Sequence, residues 1–257
     1  EIGANSPIEA LKAQAIIART WAFYNSGRFK NDNYHLCITT QCQVYKPSLN
    51  RNKNIHQAIN QTNGLIITHK NKPINAFYHA SNGGILALSS EAWKMNDYSY
   101  FQPKFDLINP DNYFETLPFK KESQLRNFLL NKKTNFLGDN HYLFRWDKKI
   151  SSEKISNLLF QNKLIKNKKS ISNIRVAERG ISGRVTKLEI IGDKSSNNII
   201  LIKDEIRRYL KFLPSNLFII DKLNDNFWIF KGGGFGHGVG LSQSGAIEMA
   251  KLGFNYE

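Results

Sequence analysis

The residues best suited to chemistry lie in one stretch, Gly232-Gly-Gly-Phe-Gly-His-Gly-Val-Gly-Leu-Ser-Gln-Ser-Gly-Ala246. Glycines at 232, 233, 234, 236, 238 and 240 flank one histidine, His237. Glycine reaches backbone angles closed to other residues and lets a ligand approach the main chain. Gly236 and His237 therefore read as a turn presented to a ligand. The bland alternative is an imidazole that only pins the loop. Ser242 and Gln243 follow as polar ligand contacts, although Ser242 also fits the N-cap of a last helix. A second polar stretch, His79-Ala-Ser-Asn-Gly-Gly84, offers Ser81 and Asn82 to the same groove, against the simpler reading of a tight turn after a strand. Cys37 and Cys42 are the only cysteines. With His35 they form His-x-Cys-x4-Cys, three ligands for a structural zinc that lacks an identified fourth. A disulfide and two free thiols stay open as well. Two chemistries are excluded. No nucleophile-elbow sequence supports a serine triad using Ser81 or Ser242 with His237. The glycine run also lacks the Gly-Lys-Ser/Thr ending of a phosphate cradle.

These groups need elements to position them. Phe227-Trp-Ile-Phe230 reads as a strand before the glycine run, and Ala246 to Leu252 as a helix after it. At the other end, Ser6 fits an N-cap, Pro7 a first helical position and Glu9 a capping-box partner. An Ala-rich buried helix of about four turns then runs to Tyr24, with Leu11, Ala15, Ala18 and Ala22 on its apolar side. Arg19 inside it requires a partner, because an unpaired buried guanidinium is costly. Gln43-Val-Tyr45 is a strand candidate, and Asn54 to Thr62 a helix ended near Gly64. Leu65-Ile-Ile-Thr68 and Ile74-Asn-Ala-Phe-Tyr78 form a hairpin around Lys70-Asn-Lys-Pro73. Helical fragments follow at 122–131, 152–161 and 204–210. Strands are expected at 185–191 and 198–202 around Gly192-Asp193, and at 217–220. The order predicts an α+β fold with mixed and antiparallel sheets and packed helices. Residues 1–106 and 176–257 form its core, and 107–175 a divergent insertion or subdomain.

The chain has 257 residues and a formal charge of +15. Lysine and asparagine are abundant everywhere, as in Lys163 to Ser170 and Asn50 to Asn54, which is compositional bias and no designed nucleic-acid patch. A basic face suits an anionic polymer. No apolar run approaches the roughly 20 residues of a membrane span. Neither a leader nor a tail is visible, and both ends read as cuts in a longer protein.

The opening Glu1-Ile-Gly-Ala-Asn-Ser-Pro-Ile-Glu-Ala-Leu-Lys-Ala-Gln-Ala-Ile-Ile-Ala-Arg-Thr20 resembles that of the SpoIID/LytB family. Gln43-Val-Tyr45, Thr62-Asn-Gly64, Tyr78 to Gly84 and Gly234 to Gln243 resemble its later blocks, in family order. Gly183-Arg-Val185, Glu205-Ile-Arg207 and Leu213-Pro-Ser215 match more weakly. The resemblance implies a SpoIID-like catalytic domain outside the cytoplasm, a peptidoglycan lytic transglycosylase that closes a 1,6-anhydro ring on glycan strands stripped of stem peptides. It implies no required cofactor, with structural zinc in some members, and partnership with a cell-wall amidase; no nucleic acid is expected. One carboxyl would act first as acid and then as base. The family motif offers Glu1 and Glu9. Glu9 sits at a positive helix end that favours its ionised form, so Glu1 is preferred, although Ile2-Gly3 replaces the family's Met-Pro. His237 would donate to sugar or to the acid. Ser242, Gln243, Ser81 and Asn82 would meet sugar hydroxyls, and Trp93, Tyr78 and Phe235 could stack on sugar faces. The alternative from another class is a non-catalytic glycan-binding module that stimulates an amidase.

Overall fold

The computed structural model describes residues 2–39, 41–43, 52–113, 115–131, 135–167, 171–192 and 198–257. The chain divides into two units, Glu1–Ala80 with Gly240–Glu257, and Ser81–Val239.

Unit 1 is built on α1 (Ile8–Tyr24), whose Ala10, Leu11, Gln14, Ile16, Thr20 and Trp21 are buried. The expected apolar side is thus only partly right, since Ala15, Ala18 and Ala22 are half-buried. The capping box does not form. Pro7 has ψ 145° and is itself the N-cap, without a side-chain cap bond. Ser6 is therefore one residue too far out for its hydroxyl to reach the first turn, and its N–H bonds the Gly3 carbonyl instead. Arg19 finds its partners at the end of α2 (Lys53–Gln61). Its Nη1 donates to the carbonyls of Thr62 and Leu65 at 2.7 and 2.8 Å. A cation there also meets the negative end of the helix dipole. The N-terminus of α2 is capped by Asn52, whose side chain accepts from the N–H groups of Asn54 and Ile55.

The hairpin is present but short: β1 (Thr68–His69) pairs antiparallel with β2 (Lys72–Pro73). Both turn residues, Lys70 and Asn71, have positive φ, 51° and 60°. That is the primed turn whose twist matches the paired strands. β3 (Tyr78–His79) pairs in parallel with β10 (Leu241–Ser242). Ser242 then caps α7 (Gln243–Lys251), its Oγ accepting from the Gly245 N–H at 3.3 Å. α7 packs on α1, where Gln243 donates to Gln14 at 3.0 Å. Val44 and Tyr45 of the first strand candidate lie outside the described residues.

Unit 2 contains two three-stranded antiparallel sheets. One has the order β4 (Trp146–Ser151), β9 (Phe227–Gly232), β8 (Phe218–Asn224). The other runs β5 (Ile171–Arg179), β6 (Val185–Gly192), β7 (Ile199–Ile202). Among the described residues the α-helices that accompany them are α3 (Ser89–Ala92), α4 (Glu122–Leu130), α5 (Ser152–Gln161) and α6 (Asp204–Tyr209). The larger core joins Trp146, Ile155, Leu188, Leu201, Ile206, Phe218, Trp228 and Phe230. A second core gathers Ile85, Leu125, Phe128, Phe136, Phe144 and Leu217. Residues 107–175 contribute α4, β4 and α5 to these cores. The fold is α+β with small sheets and packed helices. No helix among the described residues is long and apolar enough to cross a membrane.

Candidate functional site

The glycine run is divided between the units, with 232–239 in unit 2 and 240–246 in unit 1. In unit 2 its main chain is bonded almost residue by residue. The Gly233 N–H donates to Leu217 and its carbonyl accepts from Ser215 Oγ. The Gly234 carbonyl accepts from Trp146 Nε1 at 3.0 Å. Phe235 and Ser81 exchange both main-chain bonds, and the Gly236 N–H donates to Pro214. The glycines serve this close packing. A Cβ at Gly234 (φ +84°) would lie 2.7 Å from the Ser81 carbonyl oxygen, and one at Gly83 (φ +68°) 2.5 Å from the Gly233 carbonyl carbon. The expectation that glycine keeps this main chain open for a ligand is therefore replaced at these positions: the approaching main chain is the protein's own.

His237 is half-buried. The Val239 N–H donates to its Nδ1 at 3.1 Å, so in the neutral ring the proton sits on Nε2. The imidazole lies 4.7 Å from the Trp93 ring, tilted by 48°. Phe235, two residues earlier, is 38% exposed. His237 is thus a polar donor packed against one aromatic ring, a combination by which proteins hold polar ligands with apolar faces.

Ser81 and Asn82 do not line a groove. They are 1% and 0% exposed, because the 81–84 segment packs against the glycine loop. Asn82 donates to Asp106 at 2.6 Å and accepts from the Gly84 N–H at 2.8 Å. Ser81 Oγ is buried without a hydrogen-bond partner among the described residues.

The sequence reading missed a buried charged cluster beside the loop. Glu91 on α3 is 3% exposed. Its carboxyl accepts from the Ser182 N–H at 2.9 Å and from the Ser182 hydroxyl. Burial pushes this carboxyl above its ordinary range, opposed by the Ser182 bonds and the charge of Arg184. Arg184 is 1% exposed, and burial brings its guanidinium down to about 10 against the attraction of Glu91. The signal available was a charged residue at the head of an apolar strand, Arg184-Val185, which has to be buried with its neighbours.

In unit 1, Glu9 is an engaged carboxylate. Lys12 Nζ lies 2.7 Å from Oε1, and the Tyr256 N–H donates to Oε2 at 3.1 Å. The Lys12 hydrogen bond, backed by Tyr256, holds it below the usual carboxylate range. Such a group is ionised near neutrality and is poorly suited to give a proton. Glu1 lies outside the described residues. Ser242 and Gln243 have the structural duties already described.

The described residues do not fit a zinc site: no group of three His, Cys, Asp or Glu among them is disposed to hold a metal. His35 Nδ1 bonds the Ser26 carbonyl at 2.7 Å. Cys37 and Cys42 instead face each other, their Sγ atoms 2.7 Å apart. Hydrogen bonds from Cys42 and then Thr39 bring the Cys37 thiol down to about 7.

Comparison with known proteins agrees with the resemblance noted in the sequence. Residues 1–69 match the family described as Stage II sporulation protein, and residues 87–240 match Domain of unknown function (DUF8618). The amidase enhancer of Bacillus subtilis (strain 168) is 24% identical over 278 residues, covering 100% of this chain and 37% of that protein. An uncharacterized protein of Brachyspira hyodysenteriae (strain ATCC 49526 / WA1) is 29% identical over 268 residues, covering 100% of this chain and 60% of that protein. The chain thus spans less than two thirds of either relative. With its opening matching the sporulation protein and its middle matching DUF8618, the chain belongs to the SpoIID/LytB family and carries the DUF8618 domain.

Proposed function

We propose that this protein acts on the bacterial cell wall, outside the cytoplasm, as a lytic transglycosylase of peptidoglycan glycan strands. The observation that carries the reading is the family match at residues 1–69, where both candidate acids lie. Glu1 is the acid of choice, because Glu9 is held ionised by Lys12 and Tyr256. Glu1 would protonate the leaving oxygen of the MurNAc–GlcNAc bond as that bond breaks at C1. The resulting carboxylate would take the proton of the sugar's own C6 hydroxyl as O6 bonds C1, closing the anhydro ring without water. His237, as an Nε2–H donor beside Trp93, would hold a sugar oxygen, and Phe235 would offer a stacking face. Zinc has no step in this chemistry.

The test is incubation with amidase-treated glycan strands and mass spectrometry for anhydro-sugar ends. The wild type is expected to produce them, and Glu1→Gln to lose them. A Glu1→Gln variant with full cleavage would remove Glu1 from the role. The similarity to the amidase enhancer of Bacillus subtilis favours a second reading, a module that binds glycan and stimulates an amidase. That reading predicts no anhydro ends but faster amidase turnover when the protein is added.

A further inference from the structure

The reading of His237 as a glycan-facing donor leaves unexplained why unit 2 buries the whole Arg184 side chain beside it. The Arg184 Nη2 donates to the Asn82 carbonyl at 2.8 Å, while Nε and Nη1 have no hydrogen-bond partner among the described residues. Forgoing those bonds in a buried site is costly, so hydrogen bonding alone does not explain the placement. The guanidinium occupies the space beside Gly238 that a side chain there would need. A Cβ there (φ +84°) would sit 2.2 Å from Nη2 and 2.3 Å from Cζ. Gly238 is the residue between His237 and Val239, whose N–H fixes the imidazole tautomer. The Gly238 carbonyl in turn accepts from the Ala87 N–H at 2.9 Å. Glu91 supplies the buried opposite charge and stands two residues before Trp93, the ring packed on His237. Gly180 makes room for that carboxyl, since a Cβ there would lie 2.4 Å from its Cδ.

We propose that Arg184 is a positioning residue for His237: its guanidinium takes the place of a side chain at Gly238 and locks the 237–239 turn so that His237 is held as the Nε2–H tautomer. Glu91 holds Arg184 charged and ties the same lock to Trp93. The activity arm of this proposal rests on the glycan-cleaving function above; the spectroscopic arm stands without it.

The experiment is NMR of the 257-residue protein with 15N-labelled histidine and arginine, joined to kinetics on denuded glycan. The wild type is expected to show His237 protonated on Nε2 and a nuclear Overhauser contact between the Arg184 guanidinium and the Gly238 α protons. Arg184→Lys is expected to mix the tautomers and to lower kcat about tenfold with KM nearly unchanged, the pattern of lost orientation. In a His237→Ala background the same substitution should change kcat by less than about twofold, since the two residues act as one unit. An Nδ1–H tautomer in the wild type, a missing Arg184–Gly238 contact, or a folded Arg184→Lys protein with an unaltered tautomer would overturn the proposal. If Arg184→Lys does not fold, the two wild-type signals decide it. A wild type that shows both signals yet never cleaves glycan refutes the enzyme reading and leaves the positioning role standing.

Discussion

Placing a methyl group at Gly83 tests what the glycines of this loop are for. The position has φ +68°, and a Cβ would lie 2.5 Å from the Gly233 carbonyl carbon and 2.7 Å from the Gly234 nitrogen. Two costs follow for Gly83→Ala. The left-handed backbone penalises an L side chain by roughly 1–2 kcal/mol. Overpacking against main chain that cannot swing aside adds about 1–3 kcal/mol. Together unit 2 should lose roughly 2–5 kcal/mol, a large share of the 5–15 kcal/mol typical of a folded domain. With a urea slope of about 2 kcal/mol per molar, the midpoint should fall by about 1–2.5 M. Gly183→Ala is the control in the same unit. It has a similar φ of +79°, but its nearest neighbours are the ends of Leu125 and Phe119 side chains at 3.1–3.3 Å. Those can give way, so only the backbone penalty of roughly 1–2 kcal/mol should appear. Urea unfolding followed by tryptophan fluorescence reads both, since Trp146 and Trp228 are buried in this unit. Equal shifts for the two variants, or a Gly83→Ala loss below about 1 kcal/mol, would refute the argument that these glycines exist for main-chain packing.

Further expectations concern unit 1. Glu9→Gln should leave glycan cleavage intact while removing the Lys12 ion pair, at a stability cost of about 1 kcal/mol for a part-buried contact between neighbouring helix turns. Because the folded Glu9 titrates below its usual range, its contribution is fully present above the unfolded value of about 4.3 and is lost as pH falls through the depressed folded value. The wild-type advantage over Glu9→Gln in thermal scans should accordingly vanish in strong acid, and an advantage that persists there would contradict this assignment. Alkylation of Cys37 should rise with a midpoint at about pH 7, since the thiolate is the reactive form. Cys42→Ala should move that midpoint upward by removing the hydrogen bond, and an unmoved midpoint would show that the pairing does not set it.

Much of this molecule was legible along the chain because its signals are local. The periodicity of 8–24, the span 152–161 and the alternating strands at 185–191 and 199–202 each declare themselves within a few residues. So does Ser242 as a helix cap. β4 and β5 escaped because contrary charges obscure their alternation. Lys148 stands between the buried Trp146 and Ile150, while Arg175, Glu178 and Arg179 line a bulged strand whose buried residues are Ile171 and Ile174.

The glycine loop and its histidine could be found from residue order alone, since glycine spacing and a lone imidazole need no partner to be noticed. What those glycines accommodate was decided only by folding. Gly83 meets Gly233, Gly238 meets Arg184, and Asn82 turns inward to Asp106, in contacts between residues far apart in the sequence. The same holds for charge. Lys12 and Tyr256 keep Glu9 ionised, while burial pushes Glu91 upward against the bonds from Ser182, because burial and neighbouring groups set a carboxyl's proton affinity.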